Sequence, residues 1–203
     1  MKLMIATPYQ EALAGATTPY VVARWGRRTG KDATILSILG EDDLFVFPTG
    51  MRMHYHREYR FIKNIVSERE FSTVMHTTKD VKRVFVMEAA FMDRLFDILD
   101  ICEKYGVEQI FIVSTPHLQS KITSSGFLFD AICARLNMSL VSDYSYSQVG
   151  YSDTPFADPN LPKEIKKAMP LKYVEEIDAD YIGKKPNTNI TIRIDISNET
   201  DND

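Results

Sequence analysis

Three short polar segments of this chain carry the side-chain types that phosphate chemistry needs. Each follows a hydrophobic run: residues 27–32 (RRTGKD), Glu88, and residues 114–116 (STP). A glycine-lysine turn that opens a helix offers backbone N–H groups and an amine to phosphates. A carboxylate at a strand end can orient a water for attack on a terminal phosphate. Together the segments predict a site that binds and cleaves a nucleoside triphosphate.

Each segment also has a simpler interpretation when it is taken alone. Residues 27–32 could be a basic surface turn, because Trp25 stands at the first glycine position of the P-loop pattern and Asp32 at the usual Ser or Thr. Glu88 could be an exposed or helix-capping carboxylate, and Met87 precedes it where such enzymes usually have a magnesium-holding Asp. Residues 114–116 could be a strand exit that the proline redirects.

The pattern of apolar runs predicts the elements that position these segments. Short apolar runs alternate with amphipathic stretches, which is typical of an α/β fold with a largely parallel sheet flanked by helices. We expect strands at 19–24, 44–47, 81–86, 108–113, 139–141 and 190–196. We expect helices at 31–39, 53–66, 91–105, 120–136, 162–168 and 171–181, with a loop at 143–162. The three polar segments would then converge at one rim of the sheet.

Composition narrows the class of protein. The chain has 203 residues, of which 44% are hydrophobic, enough for a sizeable core. No apolar run approaches the roughly 20 residues of a membrane span, and no signal peptide is visible, so we expect a soluble intracellular protein. The net charge of -4 argues against a general nucleic-acid coat but allows a local basic strip. Cys102 and Cys133 are expected to be reduced core thiols.

In this order the segments resemble the ATPase domain of the large terminase subunit, the motor that packages DNA into the heads of tailed bacteriophages. The resemblance covers roughly residues 9–182. Residues 27–31 look like the family's phosphate loop without its first glycine. Other matching segments are 44–49 (LFVFPT), 86–91 (VMEAAF), 114–116 (STP), the closing helices within 163–181 and, least specifically, Tyr9-Gln10.

The resemblance implies a P-loop NTPase-like fold, ATP hydrolysis and the cofactors ATP and Mg²⁺. Lys31 would hold the terminal phosphates, Arg27 or Arg28 would reach the developing negative charge, and Glu88 would be the general base. Gln10 would lie at the adenine. The implied nucleotide-binding residues are Gln10, Arg27, Arg28, Thr29, Gly30, Lys31, Asp32 and Ala33. The implied coupling residues, which would sense the γ-phosphate, are Ser114, Thr115 and Pro116.

Both departures from the family pattern fall on magnesium binding. The chain lacks the usual hydroxyl at position 32 and the usual carboxylate at position 87. We hypothesise that Asp32 replaces the missing acid as the metal ligand, since hard divalent ions favour carboxylate oxygen. The competing hypothesis is that the site binds nucleotide but hydrolyses it weakly.

The resemblance also implies partners and a division of the chain. Residues 1–185 would form the ATPase domain, and residues 186–203 would be a linker and a strand-like tail that resembles the start of a nuclease domain. No further strands follow that would bring other acids together, so nuclease activity in this chain is not expected. Either another chain cuts the DNA, or this chain is a shortened product. Expected partners are double-stranded DNA, the portal protein and the small terminase subunit. Subunits would form a ring on the portal in the host cell cytoplasm, with no membrane involved.

Other functions remain open at this point. One is a nucleotide-binding regulator or assembly factor of the same fold with little turnover, which Met87 and Asp32 favour. Another is a helicase-like ATPase, which the lack of a second motor domain opposes. A basic and aromatic run within residues 52–63 could face phosphates, although a solvated helix face explains it better. His54 and His56 could in principle bind a metal, but on a helix they point to different faces.

Overall fold

The computed structural model describes residues 7–78, 80–116, 124–138, 142–155, 157–168 and 177. The strands are β1 Tyr20–Trp25, β2 Leu44–Phe47, β3 Ile65–Ser67, β4 Arg83–Met87, β5 Gln109–Ser114 and β6 Tyr144–Val149. The helices are α1 Pro8–Ala14, α2 Lys31–Ile38, α3 Arg52–Glu58, α4 Phe71–Thr77, α5 Leu95–Lys104, α6 Ser124–Met138 and α7 Leu161–Ala168. Short 3₁₀ turns occupy Thr49–Met51, Ala89–Phe91 and Tyr151–Asp153.

The six strands form one sheet in the spatial order β3-β2-β4-β5-β1-β6, and every neighbouring pair is parallel. An all-parallel sheet must be covered on both faces, which accounts for strands that are almost continuously apolar. One face packs against α4, α5 and α6, and the other packs against α1, α2 and α3. The structure therefore confirms the predicted α/β fold with a parallel sheet flanked by helices.

Alternate residues of the strands supply the two cores. Val22, Val86 and Ile112 lie in the core beneath α4, α5 and α6, whereas Met87 and Phe111 lie in the core beneath α1, α2 and α3. All five are at most 1% exposed. This alternation decides which face a residue near a strand end serves, because successive side chains of a strand point to opposite faces.

Both cysteines lie in the core. Cys102 and Cys133 are not joined in a disulfide, and both are fully buried beneath α5 and α6. Burial raises the pKa of the Cys102 thiol to about 12, so this group stays protonated at neutral pH. The prediction of reduced core thiols is confirmed.

Two predicted elements differ from the structure. The helix expected at 53–66 ends at Glu58, and Ile65–Ser67 forms a strand against β2. Pairing with β2 and the β-branched residues Ile65 and Val66 favour a strand there over helix continuation. Part of the loop expected at 143–162 is strand β6, which pairs with β1 over its whole length.

The structure also has two helices that the sequence did not predict, and some expected elements lie where no comparison is made. The α1 and α4 helices were not predicted. The elements expected at 139–141, 171–181 and 190–196 lie outside the described residues, apart from Ile177, which is buried against Tyr151 and Ile165. In the described part of the chain, no helix is long and apolar enough to cross a membrane.

The amino-terminal edge of the sheet is held by an ion pair between the residue before β2 and the first residue of β4. Arg83 donates to both carboxylate oxygens of Asp43, at 3.0 Å and 2.6 Å, and also to the carbonyl of Ile38 at 2.8 Å. Asp43 in turn accepts the N–H of Gly40. This network fixes the end of α2 against β4, at the edge of the sheet opposite to the polar segments.

Candidate functional site

The carboxyl ends of β1, β4 and β5 bring the three polar segments together. These strands are neighbours in the sheet, and in their parallel register Arg24 pairs with Ser114 and Met87 pairs with Val113. Carboxyl ends of parallel strands are the usual place for ligands in such sheets. We call the group formed by Lys31, Asp32, Glu88, Ser114 and Thr115 the rim site.

A tight turn at residues 26–30 connects β1 to α2. Gly30 has a φ of 87°, in the left-handed region that favours glycine. The hydroxyl of Thr29 donates to the carbonyl of Gly26 at 2.9 Å, and the N–H and hydroxyl of Thr34 both bond to the carbonyl of Gly30 at 2.9 Å. The turn is therefore stabilised from inside the loop and from the first turn of the helix.

Helix α1 supports the same turn from outside. Tyr9 donates its hydroxyl to the carbonyl of Thr29 at 3.1 Å, and the side-chain amide of Gln10 donates to the carbonyl of Gly30 at 3.4 Å. The Gln10 side chain also accepts a hydrogen bond from the hydroxyl of Thr7. Gln10 thus lies against this turn, the predicted phosphate loop, and its contact with an adenine stays a prediction.

Lys31 and Glu88 form an ion pair at the centre of the rim site. The Lys31 amine lies 3.3 Å from Glu88 Oε1, and the two side chains are only 11% and 15% exposed. Burial lowers the pKa of Lys31, but the nearby carboxylates of Glu88 and Asp32 outweigh it, so the pKa is raised overall. The exposed Arg27 acts against this rise. The amine is therefore charged at neutral pH.

Glu88 has an unusual backbone conformation. Its φ of 52° and ψ of 45° lie in the left-handed region, which costs a non-glycine residue on the order of 1 kcal/mol. The conformation turns the chain sharply from β4 into the 3₁₀ turn at Ala89–Phe91. The second carboxylate oxygen lies 3.5 Å from both the Ser114 hydroxyl and the Thr115 N–H. Glu88 therefore contacts the loop lysine on one side and the end of β5 on the other.

Ser114 ties the end of β5 to the turn after Glu88. It is fully buried, accepts the N–H of Ala90 at 3.1 Å, and donates its hydroxyl to the carbonyl of Thr115 at 2.8 Å. The following residues Thr115 and Pro116 are also buried. A displacement of the β5 end would therefore reach the backbone beside Glu88 directly.

Asp32 has one carboxylate oxygen bonded and one without a protein partner. Its Oδ2 accepts the hydroxyl of Tyr59 at 2.9 Å. Its Oδ1 is buried and has no hydrogen-bond partner among the described residues. A buried carboxylate oxygen without a donor is costly, and a cation relieves that cost. The unpartnered carboxylate oxygen suits the Mg²⁺ that the sequence resemblance predicts.

The surroundings show what such an ion would still require. No group of three His, Cys, Asp or Glu side chains that could hold a metal occurs in the described ranges. Met87, at the position of the usual acid, is fully buried in the apolar core beneath α2 and α3. Mg²⁺ commonly takes one or two carboxylates and completes its shell with water and substrate phosphates. Asp32 would hold the ion in that way, together with a bound nucleotide.

The remaining predicted residues lie around the phosphate loop. Arg27 and Arg28 are exposed, and Arg28 has a φ of 59°. Thr29 is buried within the turn, and Ala33 is partly buried in the first turn of α2. The structure thus brings Gly30, Lys31, Asp32, Glu88, Ser114 and Thr115 together and places Arg27 and Arg28 at the solvent side of the loop.

Two residues near the site were missed by sequence reasoning. Tyr59 bonds to Asp32 from the turn after α3, and residue 59 was assigned only to a basic face. Glu68 follows β3, where a helix had been expected to end, and its buried carboxylate accepts the N–H groups of Thr49, Asp93 and Arg94 at 2.8–3.0 Å. The available signal for Glu68 was a carboxylate two residues after the apolar pair Ile65-Val66.

The fold of this chain is similar to that of solved structures. The structure resembles the ATPase domain of the large terminase of Thermus phage P74-26, with a TM-score of 0.61 and 13% identity over 88% of this chain and 94% of that chain. A mutant of the same domain gives a TM-score of 0.58 at 13% identity, over 88% and 95% of the two chains. No protein-family model and no curated protein matches the sequence. The chain therefore has the P-loop NTPase-like α/β fold of a phage large terminase ATPase domain.

Proposed function

We propose that this chain is the ATPase motor subunit of a viral DNA-packaging terminase, with residues 1–185 as its ATPase domain. The motor would hydrolyse ATP and use the energy to translocate double-stranded DNA into a procapsid. It would act in the host cell cytoplasm, as a ring of subunits on a portal protein together with a small terminase subunit. The fold likeness to a terminase ATPase domain supports this choice among P-loop proteins.

One observation carries the proposal. The Lys31 amine and the Glu88 carboxylate lie 3.3 Å apart at a rim that also presents the buried Ser114 and Thr115. A phosphate-binding cation, a carboxylate for general base catalysis and a pair of sensing hydroxyls are the groups that hydrolysis coupled to movement requires. Three segments far apart in the chain meet here because β1, β4 and β5 are neighbours.

The residues have separate roles in the proposed reaction. The N–H groups of the turn at 26–30 and the amine of Lys31 bind the β- and γ-phosphates. Glu88 accepts a proton from the attacking water, and Arg27 or Arg28 offsets the charge that develops on the γ-phosphate. Asp32 holds Mg²⁺, which neutralises phosphate charge when it is bound. Ser114 and Thr115 contact Glu88 and would pass the loss of the γ-phosphate to the DNA-binding surface.

A magnesium-dependent ATP hydrolysis assay tests the proposal. We expect turnover by the wild-type chain, loss of nucleotide binding in Lys31→Ala, and loss of turnover with retained binding in Glu88→Ala. Glu108→Gln changes an exposed carboxylate that pairs with Lys82, so it serves as the matched control and should behave as the wild type. Unchanged nucleotide binding in Lys31→Ala would show that nucleotide does not bind through the rim site and would overturn the proposal.

The motor function needs a second measurement. Hydrolysis should rise when double-stranded DNA, the portal protein or the small terminase subunit is added, because a packaging motor is coupled to its track. Equal rates with and without all three partners, in a chain that hydrolyses ATP, would leave an ATPase but contradict the packaging assignment.

A second candidate is a nucleotide-binding regulator or assembly factor of the same fold. The observation that favours it is the fully buried Met87 at the position of the usual acid, together with the Lys31 amine already paired to the general base. This protein would bind ATP without turnover, and DNA would not stimulate it. Nucleotide binding that Lys31→Ala abolishes, combined with no hydrolysis above that of Glu88→Ala, would select this candidate.

A further inference from the structure

The turn after α3 contributes a side chain to the rim site. Tyr59 follows α3 and reaches Asp32, 27 positions earlier in the chain, with its hydroxyl 2.9 Å from Oδ2. The contact joins the element after β2 to the first turn of α2. The family resemblance assigns no role to residue 59.

The Tyr59 ring is held by aromatic neighbours on two sides. Its centroid lies 5.8 Å from that of Phe45 in β2 and 5.3 Å from that of Tyr55 in α3. The backbone N–H of Tyr59 also bonds to the carbonyl of Tyr55, at 2.9 Å. A tyrosine has two side-chain torsions, so packing of this kind fixes its hydroxyl. Tyr59 therefore offers Asp32 a donor at a set position.

The hydrogen bond from Tyr59 makes the two oxygens of the Asp32 carboxylate unequal. Oδ2 is satisfied by Tyr59, whereas Oδ1 is buried and unbonded within the described part of the chain. Without Tyr59 the carboxylate could rotate and use either oxygen. Ligands of a metal ion are commonly oriented by such a neighbouring donor.

We propose that Tyr59 is a positioning residue that orients Asp32 so that Oδ1 binds the divalent cation of a bound metal-nucleotide complex. The inference rests on the proposed function, in which Asp32 is the Mg²⁺ ligand. It adds that a hydroxyl from outside the phosphate loop decides how well this ligand works. Tyr59 contacts neither nucleotide nor metal in this scheme.

Nucleotide binding with and without metal tests the inference without relying on turnover. The dissociation constant of ADP is measured by titration calorimetry in excess Mg²⁺ and in EDTA. The value in EDTA divided by the value in Mg²⁺ is the ratio that gives the metal dependence. Tyr59→Phe removes only the hydroxyl, and we expect it to reduce the ratio about tenfold while the value in EDTA stays unchanged. Asp32→Asn should reduce the ratio at least as much, and the double variant should lose no more than Asp32→Asn.

Tyr55→Phe is the matched control. It deletes a hydroxyl from the same aromatic group, and Tyr55 makes no hydrogen bond to Asp32 in the structure. We expect its metal dependence to equal that of the wild type. Mn²⁺ binding in the presence of ADP, followed by electron paramagnetic resonance, should weaken in Tyr59→Phe and not in Tyr55→Phe.

The contrary outcomes separate this inference from the proposed function. A wild-type ratio in Tyr59→Phe, with a reduced ratio in Asp32→Asn, would overturn the role of Tyr59 and leave Asp32 as the ligand. Unchanged ratios in both, while Lys31→Ala abolishes ADP binding, would overturn the metal role of Asp32 as well but keep the nucleotide site. Equal losses in Tyr59→Phe and Tyr55→Phe would indicate disturbed packing and would also overturn the positioning role.

Discussion

At the scale of single residues, the Lys31 amine is already engaged in a contact that the nucleotide of the proposed reaction would have to replace. The Lys31 amine bonds to Glu88, and the same amine is needed by the phosphates in the proposed reaction. The pKa of Lys31 is raised above its ordinary 10.5, so the amine keeps its charge and its contribution to the pair throughout the neutral range. On the alkaline side this contribution is lost as the pH rises through the folded-state pKa of Lys31. Nucleotide binding, rather than neutral pH changes, is therefore expected to open the pair.

Glu88→Gln should show this competition. The variant removes the charge that attracts Lys31, so we expect nucleotide affinity to rise by about two- to fivefold, in line with an ion pair that is mostly shielded from solvent. Hydrolysis should fall by about 100-fold or more, since the general base is lost. Equilibrium titration and a turnover assay measure the two effects. Weaker nucleotide binding in Glu88→Gln would contradict the competition.

Replacing Met87 with the Asp that is usual at this position would place a carboxylate in the core. Its side chain is fully buried in an apolar core, and an isolated carboxylate there is costly. We expect Met87→Asp to lower the free energy of unfolding by about 3 kcal/mol in the absence of metal. Mg²⁺ with ADP should recover part of the loss if the new carboxylate reaches the ion.

The measurement is urea unfolding with and without Mg²⁺ and ADP. Met87→Leu is the control, because it keeps the volume and the apolar character and should change the free energy of unfolding by less than about 1.5 kcal/mol. Equal stability of Met87→Asp and the wild type would show that position 87 is not an apolar core position.

At the scale of elements, the phosphate loop is held by α1 as well as by its own turn. The carbonyl of Gly30 accepts hydrogen bonds from Gln10 of α1 and from Thr34 of α2, so this carbonyl joins the two helices. Gly30 itself has a φ of 87°, and a Cβ there would lie 2.5 Å from Gln10 Nε2. The loop therefore depends on glycine at this position for two reasons.

Gly30→Ala should be destabilising and should weaken nucleotide binding. The left-handed conformation and the displaced Gln10 together should lower the free energy of unfolding by about 1–3 kcal/mol. Gly50→Ala is the control, because nothing lies within 4 Å of a Cβ at Gly50 and its φ is not in the left-handed region. Thermal or urea unfolding measures both variants. Equal stabilities would contradict the reported loop conformation.

At the scale of the whole molecule, the carboxyl ends and the amino ends of the strands hold different groups of charged residues. The carboxyl edge of β1, β4 and β5 holds the rim site, whereas the amino edge of β2 and β4 holds the ion pair of Asp43 and Arg83. The Asp43 side chain is only 7% exposed, so this pair is much better shielded than the surface pair of Lys82 and Glu108. Stability and nucleotide binding should therefore be separable by mutation.

Asp43→Asn tests this separation. It leaves Arg83 without its charged partner, and we expect the free energy of unfolding to fall by about 2 kcal/mol. The dissociation constant for nucleotide should stay within about twofold of the wild type, since the mutation lies at the opposite edge. Glu108→Gln, in the exposed pair, should change stability by less than about 0.5 kcal/mol. A large loss of nucleotide affinity in folded Asp43→Asn would contradict the division.

The sequence was sufficient for four of the six strands, β1, β2, β4 and β5, and for much of the rim site, and the reasons are local. The buried strands read as continuous apolar runs because an all-parallel sheet is covered on both faces. Glycine before Lys31, Glu88 after an apolar run and hydroxyls after another are patterns within a few residues. Strands β3 and β6 were not predictable in this way, because Ile65–Ser67 and Tyr144–Val149 are defined by the strands they pair with.

By itself, the order of residues determined the α/β class, the phosphate turn and the candidate base, since periodicity and turn chemistry act over short distances along the chain. Only the tertiary structure decided that Lys31 pairs with Glu88, that Tyr59 bonds to Asp32 and that Met87 is sealed in the core. Each of these contacts joins residues brought close by strand order and helix packing, and no local pattern of side chains specifies which distant partner will be reached.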